Sequence, residues 1–207
     1  RFLGPEFIKY KEKILIIDPD VFALQNPNNI TSFLDNYNSL ACTFINGEPR
    51  TEVMLVNAEK VKWKFSEIIE KLFDLELDYN DLMNLRFDKN LKISKLDINY
   101  NSHDIIKEDT IFLHTSNRLT QPWKEGLKVD FERFVSQKNL FKHTIRKYLG
   151  LKYNKNLLTD RYQRHPSKEV IIKFKEIYEY AIKNNIINNK EIQMSVERKF
   201  FSTNFLN

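Results

Sequence analysis

The sequence predicts an α/β fold, a mixed sheet flanked by helices, with an all-α carboxyl-terminal extension. Three observations carry this expectation. Short apolar runs bounded by turn residues recur through the first 128 positions, at 14–17, 39–45, 53–56, 91–96 and 110–113. Between them lie stretches whose apolar residues return every three or four positions, the signature of amphipathic helices. After Pro122-Trp123 the short runs cease and only helical spacing remains. The expected division is therefore 1–128 for the sheet domain and 129–207 for the helical extension.

Taken in order, Pro5 to Glu12 reads as a helix, with Phe7, Ile8 and Tyr10 apolar among charged residues, running into a strand at Ile14–Ile17. Asn26-Pro27-Asn28-Asn29 is a turn, and Ile30, Phe33 and Leu34 mark a short helix stopping near Asn36. Ser39–Ile45 and Val53–Val56 read as strands separated by the turn residues Asn46-Gly47-Glu48-Pro49. From Ala58 to about Leu75 the spacing of Val61, Phe65, Ile68, Ile69, Leu72 and Phe73 predicts one amphipathic helix. A second, short helix fits Tyr79–Leu85, and strands fit Leu91–Leu96 and Thr110–Leu113, the latter ending at His114. Beyond residue 128, Val129–Leu149 is helical and basic. Ser167 is placed to cap a helix whose apolar face holds Ile171, Phe174, Ile177, Tyr178 and Ala181, and a last helix covers Asn188 to Phe200.

Composition narrows the classes of function. With 207 residues, 42% hydrophobic and 13% aromatic, the chain can bury a sizeable core and is no disordered tail. The net charge of +5 suits an anionic ligand, but acidic and basic residues are interspersed, which argues against a nucleic-acid groove. The single Cys42 excludes an internal disulfide framework and a multi-cysteine zinc site. It sits among apolar neighbours as a small core residue, and a reducing, cytoplasmic setting is expected. No run approaches the roughly 18 apolar residues of a membrane span. The chain starts at Arg1 rather than Met, so an upstream segment is expected.

The densest chemical signal is Asp18-Pro19-Asp20 at the carboxyl end of the first apolar run, because loops leaving strand ends are where α/β sheets hold ligands. Two carboxylates at i and i+2 can clamp a hard cation such as Mg²⁺ or Mn²⁺, usually shared with substrate phosphates. Aspartates at such positions also serve simply as turn formers. His114 follows another strand, and its imidazole would tilt the preference towards Mn²⁺ if it reached the same ion; the alternative is a surface or hydrogen-bonded core histidine.

The stretch RFLGPEFIKYKEKILIIDPDVFAL resembles the segment leading into the Asp-x-Asp strand of nucleotide-sugar glycosyltransferases of the GT-A (Rossmann-like) fold. It is most similar to the retaining, glycogenin-like and lipopolysaccharide galactosyltransferase group, family eight. Later segments keep the family's order: EVMLVNAEKVKW places Asn57 and Trp63, NDLMN places Asp81 and Asn84, KLDINYN places Tyr100 and Asn101, and IFLHTSNRLTQPW places His114, Pro122 and Trp123. The resemblance covers roughly 1–123. It implies that Asp18, Asp20 and His114 ligate Mn²⁺ (or Mg²⁺) on the diphosphate of a nucleotide sugar donor, with Asn57 among the donor-binding residues. It further implies transfer of a hexose to a saccharide or lipid-linked acceptor. Asp81 is either a carboxylate near the sugar's reactive carbon or a helix cap beside Asn80, and Trp123 is either a stacking platform or a core anchor.

The departures are as informative. Asn117 stands where the family has Gly, and an extra residue precedes Pro122, so the diphosphate-binding Lys has no direct counterpart; Arg118 or Lys124 is the expected substitute. Arg50-Thr51-Glu52 replaces the family's small residues before the strand and reshapes the donor or acceptor pocket. These residues contain no Gly-rich phosphate loop and no βαβ nucleotide-binding half, so the chain is expected to be part of a longer protein, the alternative being a chain that has lost donor binding. The alternative function is a noncatalytic glycosyltransferase-like scaffold whose helical tail recognises a partner. In that tail Lys142, His143, Arg146, Lys147 and Lys152 alternate with Phe141, Tyr148 and Tyr153. This pattern fits either a solvated helix face or peripheral contact with the cytoplasmic membrane surface or a glycan acceptor.

Overall fold

The computed structural model describes residues 1–131, 137–152 and 158–206. They fall into two units, Arg1–His114 and Thr115–Asn207. The first is mixed α/β and the second is helical. Within the second unit, 3-10 turns at Arg118–Thr120 and Pro122–Lys124 are tied to later residues through Gln163 N to Leu119 O (2.7 Å), Tyr162 N to Leu127 O (2.8 Å) and Ser202 N to Trp123 O (2.7 Å).

The first unit opens with helix α1 (Gly4–Phe7), started by Pro5 and ended by Lys9 and Tyr10 at positive φ, well short of Glu12. Strands β1 (Lys13–Ile17), β3 (Leu40–Ile45), β4 (Glu48–Asn57) and β5 (Ile93–Lys95) form a mixed sheet in the order β1-β4-β3-β5. Strand β4 explains why its core reads as a continuous apolar run. Met54 and Val56 join Leu40 and Cys42 in one cluster with Phe2, Trp63 and Ile68, while Val53 and Leu55 join Ala41 in another with Leu34, Leu96 and Phe112. With both faces covered, period-two alternation of polar and apolar residues disappears.

A second sheet, β2-β7-β6, consists of β2 (Val21–Ala23), β6 (Ser102–His103) and β7 (Phe112–His114). Strands β2 and β6 are too short for periodicity to reveal. A 3-10 turn, Ile98–Asn101, touches β3, β4 and β7 and so links the two sheets.

Helix α2 spans Phe65–Phe73, not Ala58–Leu75. Val61 and Trp63 are both buried with Lys62 exposed between them, a period of two that the helical spacing masked. Trp63 is held by its indole N–H donating to Asp88 (3.0 Å) and its carbonyl accepting from the Tyr10 hydroxyl (2.8 Å). Glu6 then accepts from the N–H of Phe65 (3.0 Å) and caps the helix from outside. Helix α3 (Tyr79–Met83) follows.

In the second unit α4 spans Gln137–Tyr148, α5 Lys168–Lys183 with Ser167 as N-cap, α6 Asn189–Glu197 and α7 Thr203–Leu206. The amino-terminal part of the helix expected over 129–149, at 132–136, lies outside the described residues, as does Tyr153. Among the described residues no helix is long and apolar enough to cross a membrane.

Candidate functional site

The site assembles where β1 gives way to β2. Past the last rung of the β1–β4 ladder, Ile17 against Val53, the Asp18 N–H donates to the Glu52 carbonyl (2.9 Å), which sets these residues opposite each other. The chain then turns over Pro19, with Val21 N donating to Asp18 O (3.1 Å), and enters β2. The first residue of β2, Val21, pairs with His114, the last of β7. Asp20 is thereby delivered beside the imidazole: its Oδ1 lies 3.6 Å from His114 Nε2.

Glu52 reaches the same place through an irregularity. The β3–β4 register jumps from Cys42 against Met54 to Thr43 against Arg50, so residues 51–53 bulge from the β3 ladder. Such a bulge re-aims side chains that regular pairing would have placed elsewhere. His103 enters on the far side, as the β6 partner of His114, with the two rings 4.7 Å apart edge to face.

Asn101, fully buried, is the hub. Its Nδ2 donates to Thr43 Oγ1 (3.1 Å) and Glu52 Oε2 (3.3 Å), and its Oδ1 lies 3.1 Å from His114 Nδ1. A carboxylate only accepts, so the amide is oriented with nitrogen towards Glu52 and oxygen towards His114. That oxygen can only accept, so His114 Nδ1 carries a proton, and Nε2 is the ring nitrogen on the Asp20 side. His114 itself is 6% exposed, which shields this arrangement from water.

Cations sit on the other flank. Arg1 pairs with Asp18 and also donates to Thr51 Oγ1 (2.5 Å) and reaches Met83 Sδ (3.0 Å), while Arg50 pairs with Glu52 (2.7 Å). Burial pushes the Asp18 carboxyl above its ordinary value; Arg1 opposes this, while Asp20 and Glu52 reinforce it. For Glu52 burial is again the largest single influence and acts upward. A backbone hydrogen bond, Arg50 and the imidazoles of His114 and His103 together outweigh it, and the group ends below the usual range. Burial and the neighbouring His114 lower His103.

The residues expected from sequence are distributed as follows. Asp18, Asp20 and His114 lie at one end of the first unit's sheets, with Asp18 turned to Arg1. Asn57 pairs with Lys13 at the opposite end of the β1–β4 ladder, four rungs or about 13 Å away at roughly 3.3 Å per residue, and its side chain closes a turn onto Glu59 N (3.1 Å). Asn57 thus ends β4 at the edge away from Asp18. Asp81 forms a reciprocal capping box with Asp78 at the start of α3, each side chain accepting from the other's N–H at 2.8 and 3.0 Å. Arg118 and Lys124 belong to the second unit, where Arg118 lies 4.0 Å over the Phe131 ring and Lys124 pairs with Asp130 (2.6 Å) and contacts the Tyr162 hydroxyl (3.3 Å). Trp123 stacks on Phe174, ring centroids 5.0 Å apart.

Sequence reasoning missed His103 entirely and read Glu52 only as a pocket-shaping change. One ligand atom from each of Glu52, His103 and His114 lies within 4.8 Å of the others. The available signal for His103 was its place two residues after Asn101; for Glu52, its place at the mouth of the buried β4 run.

No protein-family model matches the chain, and no curated protein does. Among solved structures it is similar to the glycosyltransferase GlyE of Streptococcus pneumoniae TIGR4, at 20% identity over 74% of this chain with a TM-score of 0.46, and to the apo form of GlyE with a TM-score of 0.45. It is also similar to the galactosyltransferase LgtC in complex with donor and acceptor sugar analogues, at 16% identity over 59% of each chain with a TM-score of 0.42. The matched region spans 46% of GlyE, under half its length.

Proposed function

We propose that this chain is the metal-handling part of a retaining glycosyltransferase, one that moves a hexose from a nucleotide diphosphate sugar to a saccharide or lipid-linked acceptor. The observation that carries the reading is the 3.6 Å approach of Asp20 Oδ1 to His114 Nε2, produced by two strands distant in sequence. Asp18, Asp20 and His114 are the residues that would hold Mn²⁺ or Mg²⁺. The donor set suits this: a lone pair kept free on His114 Nε2 by Asn101, and two carboxylates one residue apart. When bound, the ion offsets the charge that builds on the departing diphosphate.

The chain's own groups do the rest. Arg1 compensates Asp18 while the carboxylate has no cation, so metal binding exchanges one positive partner for another. Arg118 and Lys124 are the candidates for the diphosphate. Asp81, whose carboxylate caps α3, is the candidate carboxylate near the reactive carbon of the sugar. Lys142, Arg146 and Lys147, with the exposed Phe141 and Tyr148 of α4, fit contact with an anionic cytoplasmic membrane surface carrying the acceptor.

Calorimetry of UDP binding, with and without Mn²⁺, tests this on the full chain and on Asp18→Ala. Binding that requires the metal and is lost in the variant is expected; identical heats with and without Mn²⁺ in both proteins would reject it. One observation favours a second reading, a noncatalytic glycosyltransferase-like scaffold: Asp18 already has a cationic partner in Arg1. UDP binding by Arg1→Ala but not by the parent chain would support it.

A further inference from the structure

We propose that Glu52, His103 and His114 form a second, nitrogen-rich site for a borderline transition-metal ion of the Zn²⁺ class, sharing His114 with the Asp18-Asp20 site. Its existence stands on geometry alone; its competition with the other site rests on the function proposed above.

The three donor atoms lie within 4.8 Å of one another. Around a tetrahedral ion with bonds of roughly 2.0–2.2 Å, ligand atoms stand about 3.3 Å apart, so side-chain shifts of no more than roughly 1.5 Å close the site. Two imidazoles and one carboxylate are the donor types that hold Zn²⁺ with a fourth position left for water, whereas two carboxylates and one imidazole suit a harder ion.

Independent features point to a ligand. Among the described residues His103 Nε2 is a buried ring nitrogen with no hydrogen-bond partner, which costs free energy unless something occupies it. The supporting shell is also in place: Asn101 donates to Glu52 and accepts from His114, fixing one ligand's orientation and the other's tautomer. His103 further lines a cleft of about 190 Å³ with Ser102, Thr110 and Lys107, a route by which an ion could enter.

Because Asn101 commits the Nδ1 proton, His114 has a single lone pair to give. With Nε2 as the His114 ligand in both sites, that lone pair serves either Asp20 and Asp18 or Glu52 and His103. Zn²⁺ is therefore an inhibitor that withdraws His114 from the donor-binding ion.

Co²⁺ titration followed by its visible absorption tests the site on the full chain, without reference to activity. The parent protein is expected to develop tetrahedral Co²⁺ bands that Zn²⁺ bleaches. His103→Asn and Glu52→Gln are expected to weaken binding by at least about tenfold, the cost even of an outer-shell change. Asp18→Asn is expected to leave the bands unchanged. Glu52→Gln keeps an acceptor for Asn101, so it tests ligation in a fold that the His103 variant disturbs differently, and far-ultraviolet circular dichroism verifies both. Absence of bands in the parent, or undiminished bands in both His103→Asn and Glu52→Gln, overturns the proposal. Bands lost only in Asp18→Asn do so as well, and in that case the Asp18-Asp20-His114 site survives.

Discussion

Replacing Asn101 by Ala should destabilise the first unit more than any surface change and should release the tautomer of His114. The side chain is fully buried and serves three partners at 3.1, 3.3 and 3.1 Å. Truncation strands Thr43 Oγ1, Glu52 Oε2 and His114 Nδ1–H, and each buried orphan costs about 1–3 kcal/mol. Glu52 keeps Arg50 at 2.7 Å and is put at the low end, as is the rotatable Thr43 hydroxyl, whereas the His114 N–H has a fixed direction and is put near the middle. The sum is about 4 kcal/mol, a large share of the roughly 5–15 kcal/mol that holds a typical domain. Urea unfolding followed by Trp63 fluorescence in a Trp123→Phe background reports the first unit, since Trp63 lies in its core. With a slope of about 2 kcal/mol per molar, the midpoint should fall by about 2 M. In the same protein the ¹⁵N resonances of His114 should lose the signature of a hydrogen-bonded Nδ1–H. A midpoint shift under about 0.5 M, with the His114 resonances unchanged, would refute the hub argument.

Two further outcomes follow from the titrating groups. Burial holds the folded Asp18 carboxyl above 3.8 against the pull of Arg1, so between 3.8 and the folded value the native state binds more protons than the unfolded one, and stability falls as pH rises through that window. Arg1→Gln removes the opposing pull, and urea midpoints measured against pH should fall more steeply and to higher pH; a slope equal to or shallower than the parent's would contradict the assignment. Cys42, fully buried and pushed up to about 12 by desolvation, should label with a thiol-specific disulfide reagent only as fast as the first unit opens, and labelling at the rate of a free thiol would show that the β3 core is not closed.

How much of this was readable beforehand varies with the physics of each element. Strand β4 was recognisable because both faces are buried, leaving a bare apolar run, and α5 because Ser167 supplies its own cap. The long helix expected from Ala58 was not there. Residues 58–60 turn back onto the Asn57 carbonyl, and Trp63 and Phe65 are then held by distant groups, Tyr10, Asp88 and Glu6, which no local periodicity encodes. A motif likewise gives the end of a strand, as at Asn57, but not the edge of the sheet on which that end lies.

By itself the sequence determined the class of the fold, the Asp-x-Asp turn at a strand end and the presence of His114 at another. These are local matters of apolar spacing and turn chemistry, written in neighbouring residues. Only the tertiary structure decided that Val21 pairs with His114, that a bulge turns Glu52 towards the same imidazole, that His103 stands on its other side, and that Asn101 fixes which nitrogen is free. Strand register and side-chain hydrogen bonding across 13 to 58 positions are set by packing of the whole unit, and no window of the chain contains them.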